Sequence, residues 1–113
     1  MNYKKLTECE KLVMKVIWEA EEDLSMMEIR RRANEKYNSA WAPQTVSTFL
    51  ERLCRKEYIK YYRKSRIFFY EVLVSYEEYK EQITKEFLEF WFHGSDGERV
   101  LKEIRKVLQD TRL

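Results

Sequence analysis

The chain has 113 residues, 44% hydrophobic and 15% aromatic, with 22 Lys or Arg against 20 Asp or Glu and a net charge of +2. That length predicts one small domain or a domain with an appendage, and the apolar content excludes a disordered chain. No apolar run approaches the roughly 20 residues that span a bilayer, and none near the start is long enough for a signal peptide, so a cytoplasmic protein without membrane insertion is expected.

The pattern Ser/Thr-x-x-Glu occurs at Thr7–Glu10, Ser25–Glu28, Ser75–Glu78 and Ser95–Glu98. In each the hydroxyl can accept from an orphan N–H while the Glu reaches back to the cap residue, which predicts four helix starts. The first helix runs from about Glu8 to Ala20, with Leu12, Val13, Val16, Ile17 and Ala20 on one face. The second runs from about Met26 to Tyr37, with Ile29, Ala33 and Tyr37 inward and Leu24 stapling its start to Ile29. After a short connection, Pro43 fits the first turn of a third helix, where its missing N–H costs nothing. Val46, Phe49, Leu50 and Leu53 form the inner face of that helix.

After Glu57 the period changes to two. Residues 58–63 and 66–72 are aromatic and β-branched, as strands prefer, and only Lys64-Ser65 lies between them. Three helices followed by a tight hairpin is the order of a winged helix-turn-helix. The predicted class is therefore mainly α with a small β-hairpin wing. A helix from Tyr76 to about Phe92, ended by Gly94, carries Tyr76, Tyr79, Ile83, Phe87, Phe90 and Trp91 along one stripe. A last helix from about Asp96 to Gln109 places Val100, Leu101, Ile104, Val107 and Leu108 on one face. Nothing else in the sequence is left to cover these stripes. The expected organisation is a winged-helix domain over 1–74 and a helical dimerisation region over 75–113, with Tyr79, Ile83, Phe87, Phe90, Trp91, Val100, Leu101, Ile104 and Leu108 facing a second copy.

Residues 30–66 hold eleven Lys or Arg and three acids, a net +8 in a chain that is +2 overall. Charge this lopsided is the footprint of a surface that meets a polyanion. The candidate DNA contacts are Pro43, Gln44, Thr45, Ser47, Thr48 and Arg52 on the third helix, which would enter the major groove, and Arg63, Lys64 and Arg66 on the wing, with Arg66 opening the second wing strand. Arg30-Arg31-Arg32 lie about 100° apart on a helix and cannot all face one surface. Catalysis is poorly supported: the single histidine, His93, stands at a helix end, and no phosphate loop, nucleophile elbow or metal-spaced Cys/His cluster occurs. No cofactor and no metal are expected, and Cys9 and Cys54 read as free buried thiols.

Several segments carry a more specific signal. Glu10 to Trp18, Trp41-Ala42-Pro43-Gln44-Thr45-Val46-Ser47-Thr48, Leu50-Glu51-Arg52-Leu53 followed by Lys56, and Arg66-Ile67-Phe68-Phe69-Tyr70 together resemble the BlaI/MecI family of penicillinase and methicillin-resistance repressors. The resemblance runs from about Leu6 to His93. It implies a dimeric repressor bound to an inverted-repeat DNA operator and inactivated when a membrane sensor triggers cleavage in the dimerisation helix. Gln44 stands where the family usually has lysine, and Ser65 where it usually has glycine. The familiar cleavage bond follows an asparagine, and no asparagine follows Asn38. Copper-responsive relatives carry a C-terminal cysteine cluster, and here no cysteine follows Cys54. Two other readings stand beside a repressor: a winged-helix protein–protein interaction module, and a one-component regulator whose aromatic stripe binds a small apolar ligand.

Overall fold

The computed structural model describes residues 3–113. Its elements in chain order are α1 (Glu8–Glu19), β1 (Leu24–Ser25), α2 (Met26–Tyr37), α3 (Pro43–Arg55), β2 (Ile59–Lys64), β3 (Ile67–Val72), α4 (Tyr76–Phe92) and α5 (Gly97–Asp110). They divide between two compact units, Met1–Tyr79 and Lys80–Leu113. The fold is mainly helical with a small winged sheet, as the sequence pattern predicts.

Local chemistry sets the helix starts. At α1 the Thr7 hydroxyl accepts from Glu10 N–H at 3.3 Å, and Glu10 Oε1 accepts from Thr7 N–H at 3.0 Å. Ser75 and Glu78 form the same reciprocal pair at 3.1 Å each way. Ser25 caps α2 from one side only, because the Glu28 carboxylate is taken by Arg31 and Arg32. The fourth start departs from expectation: Asp96, not Ser95, caps α5, its carboxylate accepting from Glu98 N–H at 3.3 Å. A carboxylate also suits the positive end of the helix dipole.

The core lies wholly in the first unit. Val13, Met14, Val16 and Ile17 of α1, Ile29 and Ala33 of α2, and Val46, Leu50 and Leu53 of α3 are buried together with Leu6, Leu24, Tyr58, Ile59 and Val74. Fully burying each large aliphatic contributes about 1.5–3 kcal/mol before entropy losses. Glu10 is enclosed with them, and its stripe neighbours gave no hint of that. Trp18 donates to the Val74 carbonyl at 2.9 Å and stacks on Tyr76, which seats the start of α4 against α1.

The sheet has the order β1-β3-β2, antiparallel throughout. Strand β1 has no signature in the sequence: Leu24 and Ser25 pair with Tyr70 and Phe69, and two residues are too few for alternation to show. The wing register sets Lys64 opposite Ile67, so the two-residue turn is Ser65-Arg66 rather than Lys64-Ser65. Arg66 therefore lies in the turn and does not open the strand.

Candidate nucleic-acid interface

The entry to α3 is built by α2. Asn34 Oδ1 accepts from Trp41 N–H at 3.0 Å and from the Ser39 hydroxyl at 2.7 Å, while its amide donates to Trp41 O at 3.1 Å. Arg30 Nε donates to the same carbonyl at 2.7 Å. Asn38 closes α2 in the left-handed region, φ +50°, a conformation asparagine tolerates. Trp41 packs edge-on against Phe49, tying the connection to the helix it precedes. Asn34 and Arg30 thus fix where α3 begins. Sequence periodicity treats both as surface positions, so it could not find them.

With Val46, Leu50 and Leu53 buried, the opposite face of α3 is set by geometry. Pro43 occupies the first turn, and it, Gln44, Ser47 and Arg52 are exposed; Thr45 and Thr48 are half-buried. The Thr48 hydroxyl donates to the Gln44 carbonyl at 3.0 Å, leaving its oxygen lone pairs free to accept. The first turn carries no acid.

The wing is aromatic on both faces. Tyr61 meets Phe68 edge-on with ring centres 5.3 Å apart, and Tyr62 stacks on Phe69 at 5.9 Å. The Tyr62 hydroxyl donates to Asp23 at 2.7 Å, which anchors β2 to the segment before β1 and raises the phenol's pKa. At the tip, Ser65 and Arg66 both have positive φ, +53° and +69°. Two consecutive positive φ angles are what a two-residue hairpin demands and what glycine supplies without strain. This chain keeps an arginine there. The Arg63 guanidinium lies 5.8 Å from the centre of the Phe68 ring, held over its face.

The +8 stretch shrinks once partners are counted. Arg31 pairs with Glu28 and Glu35, Arg32 with Glu28, Lys36 with Glu19, Arg55 with Glu51, Lys56 with Glu10 and Lys60 with Glu71. Four of those acids lie outside residues 30–66, which a count over the stretch cannot see. Among the described residues, Arg52, Arg63, Lys64 and Arg66 make no ion pair. On α2 only Arg30 lacks an acid, its Nε donating to the Trp41 carbonyl, so the unneutralised charge sits mostly on α3 and on the wing.

Lys56 Nζ donates to Glu10 Oε1 at 2.5 Å and to the Lys5 carbonyl at 2.8 Å, fastening the end of α3 to the start of α1. Burial pushes the Glu10 pKa up, but the hydrogen bonds from Lys56 and Thr7 and the charges of Lys56 and Arg52 outweigh it, and the carboxyl titrates below the usual glutamate range.

In the second unit no residue is buried. Phe87, Phe90, Trp91, Leu101 and Leu108 are exposed along with Ile83, and Val100 and Ile104 are half-covered. Tyr79, expected on the same face, does not join them. It lies in the first unit, packed on Trp18 and Tyr58 at 5.2 and 5.9 Å, because the aromatic seat of α4 uses it within the chain. Among the described residues no helix is long and apolar enough to cross a membrane, and no group of three or more His, Cys, Asp or Glu could hold a metal.

Comparison with known proteins agrees with this layout. The chain is 28% identical over 96 residues to the penicillinase repressor of Bacillus licheniformis, covering 85% of this chain and 73% of that protein. It is similar to the solution structure of the DNA-binding domain of the repressor BlaI, with a TM-score of 0.59, 27% identity, and coverage of 69% of this chain and 92% of that one. The B. licheniformis BlaI monomer solved in complex with the blaP half-operator gives a TM-score of 0.56 at the same identity and coverage. RosR of H. salinarum shares the fold over 95% of this chain and 94% of its own, with a TM-score of 0.57 at 18% identity. The family model of the penicillinase repressors matches residues 6–111, and the chain belongs to that family, the BlaI/MecI repressors.

Proposed function

We propose that the chain is a sequence-specific DNA-binding repressor that acts as a homodimer on an inverted-repeat operator. The observation that carries this is the distribution of charge outside ion pairs: Arg52, Arg63, Lys64 and Arg66 lie on α3 and the wing, and none of them is held in an ion pair. In this reading Pro43, Gln44, Thr45, Ser47 and Thr48 bring the start of α3 to the base edges, Arg52 lies farther along it, and the wing cations hold phosphates. Phosphate contacts position the protein and base contacts specify the site. Keeping Arg66 at a positive φ, where glycine is easier, also favours a task for its charge. A relative is known as a monomer on a half-operator, so one copy here would take one half-site and two copies an inverted repeat.

The homodimer would form through residues 75–113, where Ile83, Phe87, Phe90, Trp91, Val100, Leu101, Ile104 and Leu108 supply an apolar surface. Phe90 and Trp91 are 76% and 67% exposed, which suits a packing face better than an enclosed ligand pocket. Control by a membrane sensor reaches this chain by family likeness alone, without the asparagine bond at which relatives are cut.

Gel-shift titration of two sets of variants tests the assignment. Thr45→Ala and Thr48→Ala should each cost roughly 1–3 kcal/mol at particular operator positions and little on random DNA. Arg66→Ala should weaken binding to all sequences and make the slope of log K against log salt shallower by about one per half-site. A flat salt response in the unmodified protein would favour the protein–protein module instead.

A further inference from the structure

The ion pair on the outward face of α3 adds little to the fold. Glu51 Oε1 accepts from Arg55 Nη2 at 2.9 Å, and the two side chains are 71% and 69% exposed. Pairs this exposed add next to nothing to stability. Gln44, Thr48, Glu51 and Arg55 follow one another at intervals of four, three and four residues, so they form a single line along the helix opposite Val46, Leu50 and Leu53. Glu51 is thus an acid in the middle of a surface that, under the DNA-binding reading on which this inference rests, approaches a polyanion.

We infer that Glu51 and Arg55 together read one C·G base pair in each half-site. A carboxylate near the duplex is repelled by phosphates unless a donor meets it. The major groove offers two such donors, the exocyclic amines of cytosine and adenine. An ionised carboxylate only accepts hydrogen bonds. Adenine sets its amine beside the N7 acceptor, which repels the second carboxylate oxygen. Cytosine offers its amine without that neighbour, and its partner guanine presents O6 and N7 acceptors. The Glu51–Arg55 pair has the matching pattern, an acceptor beside guanidinium donors. Glu51 also keeps Arg55 from serving as a free phosphate clamp, which lowers affinity for unrelated DNA and raises discrimination.

Selection of bound duplexes from a random pool, run on the unmodified protein, Glu51→Ala and Glu51→Gln, tests this. The unmodified protein should require C·G at one position of each half-site. Glu51→Ala should lose roughly tenfold discrimination at that position alone. It should also bind random duplex more tightly, with a salt slope steeper by about one per half-site as Arg55 turns to phosphate. Glu51→Gln should shift the preference there toward A·T, since a carboxamide suits adenine. Equal melting temperatures check that the variants fold. If Glu51→Ala keeps the same preferred sequence as the unmodified protein, the assignment is overturned and the DNA-binding reading stands. If the unmodified protein retains no duplex, both fall.

Discussion

The two units of this chain handle their apolar surface in opposite ways. The first, through Tyr79, encloses every residue of the core, and even admits a charged pair to it. The second, from Lys80, is two amphipathic helices that leave Phe87, Phe90, Trp91, Leu101, Val107 and Leu108 exposed. A helix derives most of its stability in a protein from packing its apolar face. The first unit is therefore stable through contacts it makes itself, while the second gains that packing only when something covers it. Under the proposed function one unit would meet DNA and the other its copy, which would couple occupancy of a palindrome to association.

The largest expected effect lies in the first unit. Lys56→Met removes the partner of a carboxylate that is fully enclosed. Breaking a buried pair from one side costs roughly 3–5 kcal/mol, because the remaining charge is uncompensated. Urea unfolding of the first unit should show that loss, and Glu10→Gln should cost less because the Lys56 ammonium it leaves is partly exposed and keeps the Lys5 carbonyl as acceptor. The pair also sets an acid limit. The folded Glu10 carboxyl titrates below its unfolded value, so its contribution is present above the ordinary glutamate range near 4.3 and disappears as pH falls through the folded value. The Glu10→Gln variant should have a flatter stability profile in that window. An unchanged unfolding midpoint in Lys56→Met would break the contrast between the units.

A smaller effect is expected from the second unit. Trp91→Ser removes one large exposed side chain from the proposed dimer face, worth roughly 1.5–3 kcal/mol when covered. Sedimentation should then give a dimer weaker by about ten- to a hundredfold for each of the two side chains lost, with the unfolding of the first unit unchanged. If the unmodified chain sediments as a monomer at high micromolar concentration, the covering partner is not a second copy.

How much of this was legible in the sequence follows from the range of each interaction. The caps at Thr7, Ser25 and Ser75, the Pro43 start and the aromatic hairpin are local chemistry, and periodicity over a few residues reveals them. Glu10, Asn34 and Arg30 were missed because their partners lie far along the chain or across a turn, at Lys56 and Trp41. The hairpin turn slipped by one residue because neither Ser65 nor Arg66 is the glycine that normally marks positive φ. The charge count over residues 30–66 overstates the free charge for a related reason. Glu10, Glu19, Glu28 and Glu71 neutralise it from outside, and only the fold brings them near. Tyr79 went to the wrong surface because helical spacing gives a stripe but not where along a helix the core ends.

The smallest effect sharpens the comparison from the stabilising side. Helix α3 ends in a Schellman motif: Tyr58 N–H reaches Leu53 O and Glu57 N–H reaches Cys54 O, both at 3.0 Å. That motif puts the residue after the cap in the left-handed region, and Glu57 has φ +64°. A residue with a Cβ is roughly 1–2 kcal/mol worse there than glycine, against which glycine's extra freedom in the unfolded chain offsets about 0.5–1 kcal/mol. Glu57→Gly should therefore stabilise the first unit by about 0.5–1 kcal/mol. For a unit of this size that raises the melting temperature by a few degrees. Dimer strength should not move, because the change touches only the junction of α3 with β2. Glu57→Ala separates the causes. Alanine removes the same charge but keeps the Cβ, so it should leave the midpoint near that of the unmodified protein. An equal gain from alanine and glycine would mean that charge, not backbone conformation, makes Glu57 costly, and that the first unit is less strained at this junction than its φ implies.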